Sequence, residues 1–121
     1  MEPGGDENPK EALASRTPIA VEIEVSVDRL PGAVEATAYF IVAEALTNVA
    51  KHAHARAARV RARLDGGMLR VVVSDDGVGG AQARGSGLLG LLDRLAAVDG
   101  TLTVDSPIGH GTVVSACIPV A

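Results

Sequence analysis

The sequence predicts an α/β fold, a two-layer sandwich in which helices cover one face of a mixed, mostly antiparallel sheet. Three observations point there. Stretches whose apolar residues alternate, as in half-buried strands, are interrupted by two whose apolar residues recur at helical spacing. Asp65-Gly66-Gly67 joins two of the strand-like stretches and is a strong hairpin signal. Each helical stretch has a single apolar face, which suits helices laid on one side of a sheet.

The elements follow in the order β-α-β-β-α-β-β, without repeats. Residues 1–17, opening MEPGGDENPKEALAS, are polar and rich in Gly, Pro and acid; they read as a disordered or linker segment ahead of a domain at 18–121. Ile19, Val21, Ile23, Val25 and Val27 alternate with polar residues or Ala20 and predict the first strand. After Leu30-Pro31-Gly32 a helix is expected, with Val34, Ala38, Ile41, Val42, Ala45, Leu46 and Val49 at helical spacing. The hairpin strands are 58–64 and 68–74. A glycine-rich loop leads to a second helix with Leu88, Leu91, Leu92, Leu95 and Val98 on one face. Strands 101–105 and 112–118, separated by Ser106-Pro107-Ile108-Gly109-His110-Gly111, complete the sheet.

Composition narrows the function. With 121 residues, 47% hydrophobic and 21% charged, the chain suffices for one domain with one core. A formal net charge of −4 argues against a broad electrostatic grip on nucleic acid. The single cysteine, Cys117, excludes an intramolecular disulfide or a cysteine metal cluster and suits a reducing, cytoplasmic compartment. No apolar run approaches the ~20 residues that span a bilayer, and the opening residues are no signal peptide, so no membrane contact is expected of this domain. Arg56, Arg59, Arg61 and Arg63 form a basic run, but the last three alternate with Val60, Ala62 and Leu64 as on a solvated strand face. Tyr39 and Phe40 are the only aromatics, so the core must be aliphatic, and Cys117 is expected as a small apolar filler.

Polar residues inside the most apolar helix need an explanation. Glu44, Asn48, Lys51 and His52 fall at i, i+4, i+7 and i+8, on one stripe beside the apolar one. A carboxylate and an amide oxygen one turn apart can share a hard cation such as Mg²⁺, which keeps waters and takes phosphate oxygens. A lysine one turn on could face those phosphates. The plain alternative is an amphipathic helix whose Glu and Asn face water. Asp75-Asp76-Gly77-Val78-Gly79-Gly80 ends a strand with acids and glycines: a carboxylate there can accept from an exocyclic amine such as adenine N6, or the stretch can be an ordinary turn. Gly85-Ser86-Gly87-Leu88-Leu89-Gly90 opens the second helix, where free backbone N–H groups favour phosphate, or is a flexible connection. A dinucleotide-binding fingerprint does not fit, because the preceding strand arises from a hairpin and no parallel crossover unit is visible.

Taken in order, these segments resemble the catalytic, ATP-binding domain of bacterial sensor histidine kinases, of the GHKL ATPase superfamily, in the subgroup that pairs with NarL-type response regulators. The resemblance runs from about residue 18 to residue 119. Glu44-Ala-Leu-Thr-Asn48-Val-Ala-Lys51-His52-Ala53 matches the asparagine box almost letter for letter. Asp75-Asp-Gly77-Val-Gly79 matches the first glycine box, Gly85-Ser-Gly87-Leu88-Leu-Gly90-Leu-Leu-Asp-Arg94 the second, and Gly109-His-Gly111-Thr112 the closing turn. The resemblance implies ATP and Mg²⁺ as cofactors. Asn48 would be the metal ligand and Glu44 would help position the ion or its water; Lys51, with His52 as a lesser candidate, would contact phosphates. Asp75 would bind adenine N6, Gly77 and Gly79 would shape the pocket, and Gly85, Gly87 and Leu88 would line the phosphate side. Thr112 would close the adenine end through water.

Two departures matter. Only Ala81-Gln82-Ala83-Arg84 separates the glycine boxes, a short ATP lid without an aromatic anchor. The family's helical dimerisation domain and phosphoacceptor histidine have no counterpart in these residues, and His52, His54 and His110 do not substitute. The isolated domain is therefore expected to bind ATP without phosphorylating itself, its partners being a dimerisation domain and a response regulator of a parent that can itself be membrane-anchored. An anti-sigma-factor serine kinase of the same fold is the alternative; Lys51-His52-Ala53 and the second glycine box favour the histidine kinase. A degenerate domain that binds a partner without nucleotide is a third reading, against which intact Asn48, Asp75 and Gly77 speak.

Overall fold

The computed structural model describes residues 20–27, 29–50, 54–80 and 88–120, with the side chains of 88 and 89 excepted. The element order is the expected one: β1 (Ala20–Ser26), α1 (Gly32–Asn48), β2 (Ala57–Asp65), β3 (Met68–Asp75), α2 (Leu88–Ala96), β4 (Thr101–Asp105) and β5 (Thr112–Pro119). The strands form one five-stranded sheet in the order β1-β2-β3-β5-β4. The pairs β2–β3, β3–β5 and β4–β5 are antiparallel, and β1 runs parallel to β2. The last pairing corrects the expectation that no parallel crossover is present: α1 is the crossover between two neighbouring parallel strands. Antiparallel neighbours can be joined by a tight turn, as at Asp65-Gly66-Gly67, whereas a parallel pair needs a long connection. The 17-residue helix supplies it.

Alternation assigns the faces. Leu69, Val71 and Val73 on β3, Val60 on β2 and Val114, Ala116 and Ile118 on β5 are buried. The C-terminal half of α1, through Ala45, Leu46 and Val49, packs with Ala58, Val60 and Val73. Val34 and Ile41 of the same helix join Leu69, Val71, Ala116 and Ile118, together with Leu91 and Leu95 of α2. All the buried apolar residues are aliphatic, as two aromatics in the chain require. Phe40 is half-buried and lies under the Arg94 guanidinium, 3.9 Å from its ring centroid, which pins α2 to α1.

The opposite face is open, and the arginine run lies there. Glu22 and Glu24 of β1 stand opposite Arg59 and Arg61 of β2 and pair with them at 2.9 and 3.1 Å. Exposed pairs of this kind add little stability, yet opposed charges across a strand pair help choose partner and register. Cys117 fills no core position, contrary to expectation. With Ala116 and Ile118 turned inward, alternation sends Cys117 to the open face, where its Sγ lies 3.7 Å from Arg70 Nη1. The expected linker at 1–17 and the lid at 81–84 lie outside the described residues. Among the described residues no helix is long and apolar enough to cross a membrane.

Candidate functional site

Two elements deliver the polar residues to one end of the helix-covered face. Asp75 is the last residue of β3 and continues the inward alternation of Val71 and Val73, while its register partner on β2 is Ala58. Ala58 and Val73 are the sheet residues on which the C-terminal turns of α1 pack. Glu44 and Asn48 ride on those turns and are half-buried. The helix packs beside the strand end, so Asn48 and Asp75, 27 positions apart in sequence, belong to the same end of the covered face. Residues 49–50 continue α1 in a wider π turn, a local departure often found at functional positions.

The Asp75 carboxyl is perturbed by its surroundings. Burial deprives its carboxylate of water and raises its pKa, and the neighbouring Asp76 adds repulsion; N–H donors of Gly77 and Thr112 oppose the rise. The Gly77 amide donates to Oδ1 at 2.7 Å. Asp76 has the reverse character. Exposed, it accepts from the Ala57 and Arg56 amides at 3.1 and 2.9 Å, and these bonds hold its pKa below the usual carboxylate range.

Behind Asp75 two turns lock together. Gly80 N–H donates to the Ser106 carbonyl at 2.8 Å and Gly109 N–H to the Val78 carbonyl at 2.6 Å. Gly79 and Gly111 both have positive φ, 69° and 77°. A Cβ on Gly79 would collide with the Pro107 carbonyl oxygen, and one on Gly111 with the carbonyl oxygen of Asp75 itself. Glycine is required at both positions by conformation and by contact. Thr112, which follows Gly111 and pairs with Asp75 across the β3–β5 ladder, shares a hydroxyl–hydroxyl hydrogen bond of 2.6 Å with Ser106.

Of the residues singled out from sequence, Glu44, Asn48, Asp75, Gly77, Gly79 and Thr112 are described, and the last four form one cluster around the end of β3. Leu88 is described only as the first residue of α2. Lys51, His52, Gly85 and Gly87 lie outside the described residues. His54 and His110 are exposed. The sequence reading missed Ser106 and Asp76. The signal for Ser106 was a hydroxyl at a turn ahead of Thr112; that for Asp76 was a second acid in a strand-ending Asp-Asp-Gly, where one acid sufficed for the expected role.

Residues 33–121 match the family described as histidine kinase-, DNA gyrase B-, and HSP90-like ATPase. The chain belongs to that ATPase family. ATP is therefore the ligand of this ATPase domain. It is 38% identical over 120 residues to an uncharacterized sensor-like histidine kinase of Chloroflexus aurantiacus, covering 90% of this chain and 20% of the relative. It is 34% identical over 100 residues to the oxygen sensor histidine kinase NreB of Staphylococcus carnosus, covering 78% of this chain and 29% of that protein. The ATPase domain thus spans less than a third of these relatives' length. Among solved structures, the histidine kinase domain of the blue-light activated kinase of Erythrobacter litoralis EL346 superposes with a TM-score of 0.76 at 26% identity, over 90% of this chain and 56% of that one. The mycobacterial sensor histidine kinase MprB shares the fold at 22% identity with a TM-score of 0.72, over 93% of this chain and 89% of that one.

Proposed function

We propose that this chain is the ATP-binding catalytic domain of a two-component sensor histidine kinase that works with NarL-type response regulators. It binds Mg-ATP and donates the γ-phosphoryl group to a histidine on a separate dimerisation domain. The bond from the γ-phosphorus to the bridging oxygen breaks, ADP leaves with that oxygen, and the imidazole nitrogen takes the phosphoryl group; a response regulator then receives it. The work belongs in the cytoplasm, whether or not the parent protein is anchored in a membrane.

The observation that supports the reading is that the end of β3, bearing Asp75, and the C-terminal turns of α1, bearing Glu44 and Asn48, lie at one end of the covered face beside paired glycine turns. In the proposed role, Asp75 accepts from adenine N6, Gly77 and Gly79 let the base approach the backbone, and Thr112 closes that end through water. Lys51 and His52 serve the phosphates, with Gly85, Gly87 and Leu88 along them. For the ion, Glu44 and Asn48 supply two oxygen donors one helical turn apart. Among the described residues no group of three or more His, Cys, Asp or Glu converges to hold a metal. Two protein oxygens suit Mg²⁺, which retains waters and takes phosphate oxygens. When bound, Mg²⁺ neutralises charge on the β- and γ-phosphates.

One experiment tests the reading. The domain should bind Mg-ATP with a Kd of micromolar to millimolar order, roughly −4 to −8 kcal/mol by titration calorimetry. Mixed with the dimerisation domain of its parent and labelled ATP, it should place acid-labile phosphate on that domain and none on itself. Absence of binding at millimolar ATP, or acid-labile phosphate on this chain alone, would overturn the proposal.

A further inference from the structure

We propose that Asp76 is a positioning residue for nucleotide binding: its carboxylate ties the start of β2 to the end of β3 and so holds the neighbouring Asp75 in the orientation that reads adenine. This rests on the assignment of Asp75 made above. Asp76 Oδ1 accepts from Arg56 N–H at 2.9 Å and Ala57 N–H at 3.1 Å, while its own N–H donates to the Ala57 carbonyl at 3.3 Å. The last regular pair of the two strands is Ala58 with Asp75. The backbone bond prolongs that pairing by one residue, the two carboxylate bonds add partners that backbone pairing does not supply, and the residue they fix is bonded covalently to Asp75.

The same carboxylate reaches back toward the other end of the site. Arg56 and Ala57 are where the chain re-enters the sheet after α1, the helix that carries Glu44 and Asn48. Asp76 thus clasps the segment leaving the metal-side helix to the strand end that faces adenine. Its side chain is exposed and its carboxylate bonds to backbone amides, so its removal acts through the backbone. A carboxylate bonded to backbone amides is a charge-assisted acceptor, stronger than a neutral one.

The test is a double-mutant cycle read by ADP titration in chelator, with folding of every variant checked by its amide NMR spectrum. Asp76→Ala should weaken ADP about tenfold, or ~1.4 kcal/mol. Asp76→Asn, whose amide oxygen can accept the same two N–H groups, should retain most of the affinity. Because Asp76 acts through Asp75, adding Asp76→Ala to Asp75→Asn should cost little beyond Asp75→Asn alone. If Asp76→Ala loses its dispersed spectrum, Asp76→Ser takes its place in the cycle, since its short hydroxyl cannot reach both amides. Weakened Asp75→Asn beside unchanged Asp76→Ala, or fully additive losses, overturns the positioning role alone. Asp75→Asn binding ADP like the wild type overturns the site assignment and the positioning role with it.

Discussion

Asp75→Asn should weaken ATP and ADP by the same large factor, whether or not Mg²⁺ is present. The substitution keeps the shape of the side chain but turns an acceptor oxygen into a donor, which in the proposed site would face the donor N6 of adenine. Besides losing a bond it sets two N–H groups against each other, so the cost exceeds the ~0.5–1.5 kcal/mol of an ordinary hydrogen bond and passes roughly tenfold in Kd. Asn48→Ala should behave differently. In its proposed role the amide oxygen is needed only with the ion, so the loss should be large with Mg²⁺ and small in chelator. Acid should mimic Asp75→Asn, because protonation removes the acceptor. Burial raises the Asp75 pKa, so the loss should begin at a higher pH than for an ordinary aspartate. Equal losses for both variants with and without Mg²⁺, in folded protein, would contradict the division of the site into an adenine end and a metal end.

Gly111→Ala should cost the domain about 2–5 kcal/mol of stability, from a left-handed backbone conformation and an enforced clash together. Gly111 is buried at φ 77°, and its new methyl would meet the Asp75 carbonyl. Nothing there is a flexible side-chain end; the obstacle is the backbone at the end of β3, at Asp75 and Asp76. Of a typical stability of ~5–15 kcal/mol this is a large share. Gly109 provides the control. Its φ is 84° but a Cβ there would meet nothing within 4 Å, so Gly109→Ala bears only the conformational cost, roughly 1–2 kcal/mol. Denaturant unfolding of the two variants measures the difference. Equal midpoints would show that the clash is relieved by a shift of the turn and that the two turns are less tightly locked than their hydrogen bonds suggest.

Much of this architecture was legible because its signals are local. Asp65-Gly66-Gly67 set the β2–β3 hairpin, and Leu69, Val71 and Val73 alternated inward as their spacing required. In α1 the helical spacing picked out Val34, Ile41, Ala45, Leu46 and Val49, all buried. What failed depended on neighbours distant in sequence. The partner of β1 could not be read from β1; the length of α1 permits the parallel pairing with β2, and Glu22 and Glu24 meeting Arg59 and Arg61 favour it. Val25 has the alternation of an inward residue yet is 38% exposed, because β1 lies at the sheet's edge. Leu92, counted with the apolar face of α2, is 40% exposed, while Leu91 and Leu95 meet the core. At the site, Asp75 stood out by its place at the end of a strand. Asp76 did not, because its partners are backbone amides twenty and nineteen residues away, and backbone amides leave no mark on a sequence.

The edge position of β1 has a mechanical consequence. Residues 1–19 precede β1 in the chain, so tension arriving from that side falls first on its ladder to β2. That strand is lightly held: its inward Val21 and Ile23 are only half-buried, and its two ion pairs face water. Strand β3 is clamped between β2 and β5 with Leu69, Val71 and Val73 at 0–2% exposure. Since α1 is strung between β1 and β2, any give in β1 bears on the N-terminal side of that helix, whereas its C-terminal turns are held by Ala45, Leu46 and Val49 against Val60 and Val73, and Asp75 ends a strand clamped on both sides. Hydrogen exchange should register this as amides of β1 opening well before those of β3; equal protection of the two strands would show that no such gradient of stiffness exists.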